Sequence, residues 1–451
     1  MTPAMTKDAQ GHELTGASAQ AAALYDSGVH AFNIVRGDAL GLYAAAIQTS
    51  PAFPMAHLAK AWAFSLARDP ALSPKARAAI DAAAGLPMNA REHAHLTALN
   101  HAARGDLHAA VLTLDCHLMA YPFDTVAHQV ALLLDLVQGR VRWMRDRTAR
   151  ALRLWSKDTP GYPALLALHA FGLEENGDYA RAEEGSRAAL ELEPMLHWGH
   201  HTVSHVMEMT GRPEDGLGWM QAREAYWATE EHVNQAHLWW HRALFHIELG
   251  QYDAALALYD GPIRATQRPV GVSLTNASAL LWRLDTIGRD VGDRWADVLT
   301  SWDGHADSQH SVFNDMHAAM AELRSGQEAL TEQRLTAMRA MAASGLPGAE
   351  VYRAAGVPSI EALLAFHRGD YAKTVELLLA ARFELWRIGG SHAQRDVVDW
   401  TLTEAAIRAG TRDTAMSLTH ERLAARPRDH VNRVFLQRAE ALDGRSPAAK
   451  V

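Results

Sequence analysis

The chain has 451 residues, 48% hydrophobic and 21% charged, with a formal charge of −9 from 43 Lys and Arg against 52 Asp and Glu. It is too long for one compact core and too apolar for wholesale disorder, so several domains or an elongated repeat array is expected. The negative balance, with no dense Lys/Arg block, argues against nucleic acid and anionic membrane as main partners.

The opening MTPAMTKDAQGHELTGASAQ is polar and holds no secretory-type apolar segment. Residues 1–20 are expected to be loose, as is the tail over 444–451. No apolar run reaches membrane-span length. Cys116 is the only cysteine, which excludes an internal disulfide, fits a cytoplasmic setting and reads as a small buried apolar residue.

Between those ends, glycines punctuate the chain. GDLHAAV at 105, GDYARAE at 177, GQYDAAL at 250 and GDYAKTV at 369 each follow one apolar-periodic stretch and precede another. This is a helix stop, a tight turn and a helix start. Weaker marks stand at Gly37, Gly139, Gly211, Gly288, Gly326 and Gly410. The spacings run 68, 34, 38, 34, 39, 38, 38, 43 and 41, and the first is twice 34. A period near 34 is that of the tetratricopeptide (TPR) helical hairpin. Counting Gly250 as position 15 puts Trp239 at 4, Ala243 at 8, Tyr252 at 17 and Ala255 at 20, the packing positions of that motif. The predicted fold is all-α, a TPR-like α-solenoid: a right-handed superhelix of about ten helical hairpins forming a single repeat domain over 21–443.

Histidine is the compositional oddity, 25 in all, eight of them between His197 and His246. In HWGHHTVSHVMEM, counting Gly211 as position 15, His201, His205 and Glu208 fall at first-helix positions 5, 9 and 12, on the stripe expected to line a concave groove. The preceding hairpin adds Glu174 and Glu175. The following HLWWH adds His237, Trp240 and His241, with Trp239 read as a core knob. Further on, SVFNDMHAAM carries Asp315 and His317 on a first helix.

Two chemistries fit. His-x3-His occurs at 197/201, 201/205 and 237/241, and i, i+4 imidazoles on a helix can hold zinc or iron. His201, His205, His237 and His241 are therefore candidate metal ligands. His205 and Glu208 form an i, i+3 pair suited to acid–base catalysis, with Glu208 as the candidate base beside a metal. The blander reading is a hydrogen-bonded structural histidine network. The leading functional expectation is a binding protein whose groove takes a polar small molecule or short peptide, with a metal-dependent or His/Glu acid–base enzyme as the alternative. A homo-oligomer is compatible with either.

The strings HTVSHVMEM, HLWWHRALFHIELGQYDAALALYD, HAFGLEENGDYARAE, MRDRTAR and FNDMHA resemble, in this order, the signature stretches of the tetratricopeptide repeat protein 38 family, from about Tyr25 to the last hairpin. The family's His-x3-His-x2-Glu-Met corresponds to His201, His205, Glu208 and Met209. Its His-Asn-aromatic-Trp-His corresponds to His237, Trp239, Trp240 and His241, with Leu238 where the family usually has Asn. The resemblance implies a cytosolic α-solenoid and brings no settled reaction.

Overall fold

The computed structural model describes residues 6–442. The tail expected to be loose over 444–451 lies outside the described residues, as do residues 1–5. Within the N-terminal segment expected to be loose, residues 6–14 form a closed turn. Leu14 N–H donates to Thr6 O at 2.8 Å and Asp8 N–H to His12 O at 2.9 Å. Leu14 is buried, and Asp8 pairs with Arg91 at 3.1 Å.

The described residues are predominantly helical. Among the described residues the only β-pairing is two isolated bridges, Lys7 with Glu13 and Arg36 with His232. Where the sequence suggests one repeat domain, the chain divides into two compact units. Unit 1 is Met1–Val203 with Ala225–Asn234, and unit 2 is Ser204–Glu224 with Gln235–Val451.

Unit 1 contains α1 (Ala19–Ile34), α2 (Ala39–Thr49), α3 (Pro54–Ser65), α4 (Ser73–Ala84), α5 (Ala90–Ala103), α6 (Leu107–Ala120), α7 (Thr125–Leu136), α8 (Val141–Leu152), α9 (Tyr162–Glu174) and α10 (Tyr179–Leu192). The boundary falls inside α11 (His197–Met209). Then come α12 (Pro213–Ala222), short α13 (Glu224–Trp227), α14 (Gln235–Glu248), α15 (Tyr252–Leu258) and short α16 (Arg264–Thr266). Unit 2 continues with α17 (Gly271–Thr286), α18 (Arg294–Ser301), α19 (Val312–Arg324), α20 (Glu328–Ala343), short α21 (Ala349–Val351), α22 (Val357–His367), α23 (Tyr371–Ala381), α24 (His392–Arg408), α25 (Arg412–Ala425) and α26 (His430–Glu440).

Every glycine mark falls between two helices, and all ten have positive φ. Gly177 shows why. At φ 80° its N–H donates to Glu174 O (2.8 Å), while Asp178 N–H reaches back to Leu173 O (3.0 Å). This left-handed stop satisfies carbonyls that the end of α9 would leave open. The doubled first spacing also resolves. One hairpin, α3 with α4, turns without a glycine and places Arg68 at φ 45° instead. These consecutive helix–turn–helix pairs, each packed on its neighbours within its unit, are the TPR-like architecture.

Tyr25, Tyr43, Phe53 and Trp62 centre the core of unit 1. In unit 2, α17 packs against α14, α19 and α24. Its buried Trp282 donates its indole N–H to Thr401 Oγ1 (2.9 Å), and Trp400 returns the arrangement onto Thr286 Oγ1 (3.0 Å). These two rings enter the core with both indole N–H groups matched.

Candidate metal centre

In unit 2, the second half of α11 meets α14, which packs against α17. His205 and Glu208 come from α11, His237 and His241 from successive turns of α14, and Asn276 from α17. The hydrogen bonds fix the tautomer of His237. The Asn276 amide nitrogen donates to Ser273 O at 3.0 Å, leaving its Oδ1 as an acceptor. His237 Nδ1, 2.8 Å from that oxygen, therefore carries the proton and donates it. His241 Nδ1 lies 3.2 Å from Glu208 Oε2 and faces a carboxylate in the same way.

With Glu208 ionised, both rings spend Nδ1–H on an oxygen and turn Nε2 inward, where the two Nε2 atoms stand 3.2 Å apart. Two imidazole lone pairs repel at this distance, so the arrangement calls for a cation or a shared proton between them. Two nitrogen ligands on one tetrahedral ion with bonds near 2 Å stand about 3.3 Å apart. The His205 ring centroid lies 4.6 Å from that of His241. One ring nitrogen from each of His205, His237 and His241 lies within 4.8 Å of the others. Imidazole donors suit zinc, iron, copper and nickel. A carboxylate or amide oxygen holding the far ring nitrogen is the usual support for a metal-bound histidine.

The surroundings are buried and charge-matched. Trp240 stacks on His237 at 5.3 Å and 12°, with the Arg283 guanidinium 5.6 Å from the Trp240 ring. Burial pushes His237 down to about 4, against its bond to Asn276, so this ring is neutral, as a ligand must be. Burial pushes Glu208 up to about 7, opposed mainly by Arg426, 3.8 Å away. Arg426 also reaches Glu248 at 3.3 Å and Asp396 at 2.6 Å, and Arg422 reaches Asp396 at 2.9 Å. Burial brings Arg283 down to about 10 despite the opposing charges of Asp396 and Glu208.

The other candidates are distributed differently. His201 sits one turn before His205 on α11, on the unit 1 side of the boundary, stacked on His197 (5.2 Å, 23°) and tilted against Phe171. Glu174 ends α9 and Glu175 follows it, both in unit 1. Asp315 belongs to a separate network, accepting from Ser308 N (2.9 Å), Arg334 (2.7 Å) and Tyr352 Oη (3.2 Å). His317 donates Nδ1–H to Phe313 O at 2.8 Å.

All ten candidate site residues are buried, none more than 7% exposed. The stripe read as lining an open groove is therefore covered. Cys116 corrects another expectation. It is exposed, because Leu114, His117 and Leu118 take the inward face of α6. Leu238 is fully buried, so a polar residue there would enter a packed position.

Sequence reasoning missed Asn276, Arg283, Asp396 and Arg426, which lie 35 or more residues from the histidine strings. It also missed a buried cluster in unit 1: His95, His117 and Asp124, with Arg91 at 2.6 Å from Asp124. The local signal was Arg91 and His95 at i, i+4 on α5. This second cluster does not suit a metal. Trp62 donates its indole N–H to His95 Nδ1 (3.1 Å), so His95 keeps its proton on Nε2 and donates it to Asp124 Oδ2 (3.0 Å). A metal at Nε2 would leave that ring with no proton at all.

No family model matches the chain. Solved structures similar to it are TPR-type proteins at low identity. The Cut9–Hcn1 hetero-tetramer of the APC/C matches at 12% identity over 93% of this chain and 76% of the other, with a TM-score of 0.45. The human IFIT1 dimer with PPP-AAAA matches at 12% over 94% and 95%, with a TM-score of 0.42. A tetratricopeptide repeat protein from Parabacteroides merdae matches at 14% over 62% and 98%, with a TM-score of 0.34. Among the described residues no helix is long and apolar enough to cross a membrane.

Proposed function

We propose that this protein is a metalloprotein of the tetratricopeptide repeat protein 38 type. Its buried histidine centre holds a divalent transition metal, zinc or ferrous iron, and acts on a small polar molecule. His205, His237 and His241 are the ligands. The observation that carries this reading is the 3.2 Å approach of two Nε2 atoms, where His237 has committed Nδ1–H to Asn276 and His241 turns Nδ1 to Glu208. A metal in such a setting activates bound water and polarises carbonyl or phosphoryl oxygens. This chain's residues orient the ligands through Asn276 and Glu208 and exclude bulk water. Burial of the cluster favours a small molecule over a peptide lying in an open groove.

The test is elemental analysis of protein purified without a histidine tag or chelator. About one equivalent of zinc or iron is expected, lost in His237→Ala and His241→Ala variants that keep their helical circular dichroism. Metal far below one equivalent, with none regained on titration with Zn(II) or Fe(II), overturns the metal centre. The same contacts then support a second reading, in which Glu208, His241, His237 and Asn276 form a proton-sharing chain that does acid–base work. In that case the Nε2–Nε2 approach is bridged by a proton.

A further inference from the structure

One face of unit 1 joins exposed apolar side chains to an excess of arginine. Six arginines fall between positions 140 and 153, no two of them adjacent. They form no block in the sequence and come together only on α8 and its immediate extension. α6 lies alongside. Arg140 donates to His108 Nδ1 (2.7 Å), and Arg147 and Arg150 donate to Asp115 (3.0 and 2.8 Å). These bonds join positions 32 to 35 residues apart, in the same order along both helices. α6 and α8 therefore run parallel, with a seam between them.

Apolar side chains stand open on both sides of that seam. Along α6, Leu112 is 56% and Met119 64% exposed, with exposed Cys116 between them. This i, i+4, i+7 row spans about 10 Å at 1.5 Å per residue. Along α8, Trp143 and Leu154 are each 43% exposed. They share one stripe with Arg147 and Arg150, at i, i+4, i+7 and i+11. The parallel register sets Leu112 level with Trp143. At the other end, Met119 and Leu154 flank the same depression of about 40 Å³. Single exposed apolar residues are ordinary, but four on two neighbouring helices make a patch that calls for a partner.

The charge beside the patch is unbalanced in one direction. Asp146 accepts from Arg142 (3.0 Å) and Arg145 (2.8 Å), Asp115 from Arg147 and Arg150, and Asp135 from Arg147. Arg140 meets an imidazole rather than a carboxylate, and exposed Arg153 has no ion pair among the described residues. Three carboxylates thus serve six guanidinium groups, on a chain whose net charge is −9. We propose that the α6–α8 seam docks one amphipathic helix of a partner protein, with apolar side chains at i, i+4 and i+7 on the seam and carboxylates toward the arginines of α8. A helix repeats its side chains at the spacing that the α6 row offers, and an apolar helix face laid in a groove is a recurring mode of recognition. The partner's carboxylates would take the guanidinium donors that Asp115, Asp135 and Asp146 leave over. An anionic bilayer fits less well, because part-exposed Asp115 and Asp146 stand within the face.

The probe is a synthetic peptide of about 15 residues, long enough to populate a helix, with leucines at the i, i+4, i+7 spacing and glutamates elsewhere. A second peptide carries lysine in place of every glutamate. Fluorescence anisotropy with the full chain should show the glutamate peptide binding at micromolar concentration, about tenfold tighter than the lysine peptide. The difference should shrink as salt is raised. Cys116, the only cysteine, sits in the α6 row and reports where the peptide lies. Its alkylation by iodoacetamide should slow in proportion to the fraction bound. Leu112→Gln with Met119→Gln, and separately Arg153→Glu, alter exposed side chains only. Each should weaken the glutamate peptide about tenfold. No binding at millimolar peptide, equal affinity for the two peptides, unslowed alkylation of Cys116 at saturation, or parent affinity in either variant would each overturn the proposal. Retention of the protein by phosphatidylserine vesicles, with neither peptide bound, would overturn it in favour of a membrane. A dimer of the protein alone in sedimentation, lost in the Leu112 and Met119 variant, would overturn it in favour of a second copy of this chain.

Discussion

At the scale of single residues, the histidine centre turns on which ring nitrogen carries the proton. Asn276 and Glu208 decide this for His237 and His241, and neither needs to touch a metal to matter. Asn276→Ala should lower metal affinity about 10–100-fold, the usual cost of losing such a support, with little change in secondary structure. Glu208→Gln keeps an oxygen acceptor for His241 Nδ1 and should retain metal, while Glu208→Ala should not. Competition against a chromophoric chelator measures all three. If Glu208→Gln and Glu208→Ala behave alike, the orienting role is wrong. Much of this site was legible in the strings HTVSH and HLWWH, because helical spacing alone places those rings on shared faces. Asn276 was not legible, since an amide in an apolar helix carries no sign of what faces it.

At the scale of the helical element, the repeat rests on its turns and on helix-to-helix pairing. Gly177 has open space around a built Cβ, so its substitution tests backbone conformation alone. Gly177→Ala should cost about 1 kcal/mol, the strain of a left-handed conformation in a residue with a Cβ, read as a lower urea midpoint at unchanged slope. Thr401 tests pairing between helices. Thr401→Val keeps the volume and removes the acceptor of the Trp282 indole, 2.9 Å away. It should cost about 1–3 kcal/mol for the buried N–H left unmet. The glycines were visible in the sequence because left-handed turns nearly demand them. The α3–α4 turn was invisible for the same reason, because Arg68 adopts the positive φ there without leaving a glycine to read.

At the scale of the whole molecule, each unit holds a carboxylate kept ionised by its surroundings, buried at Asp124 and half-buried at Asp396. Burial pushes Asp124 up, but Arg91 and the imidazoles of His95 and His117 outweigh it and hold its carboxyl well below the usual range. Burial of Asp396 is likewise outweighed by Arg422, Arg426 and Arg283. A carboxyl depressed in the folded state contributes stability that is fully present above its unfolded value near 3.9 and is lost as pH falls through the folded value. Both units should therefore lose stability as pH drops below about 4, measurable as a falling melting temperature. Asp124→Asn should flatten that acid limb while lowering stability at pH 7. An acid limb as steep in Asp124→Asn as in the parent would exclude the assignment.

The sequence by itself determined the all-α hairpin architecture, the turn positions and the clustering of histidines. All three are local consequences of helical periodicity and of glycine's access to positive φ. Only the tertiary structure decided that these histidines are buried rather than lining an open face, because burial depends on what the other helices cover. Tertiary packing likewise brought Asn276, Arg283, Asp396 and Arg426 to them, and made a separate Asp–His network of His95, His117 and Asp124. Those partners are distant in sequence, and no local pattern encodes which side chain a folded neighbour will present.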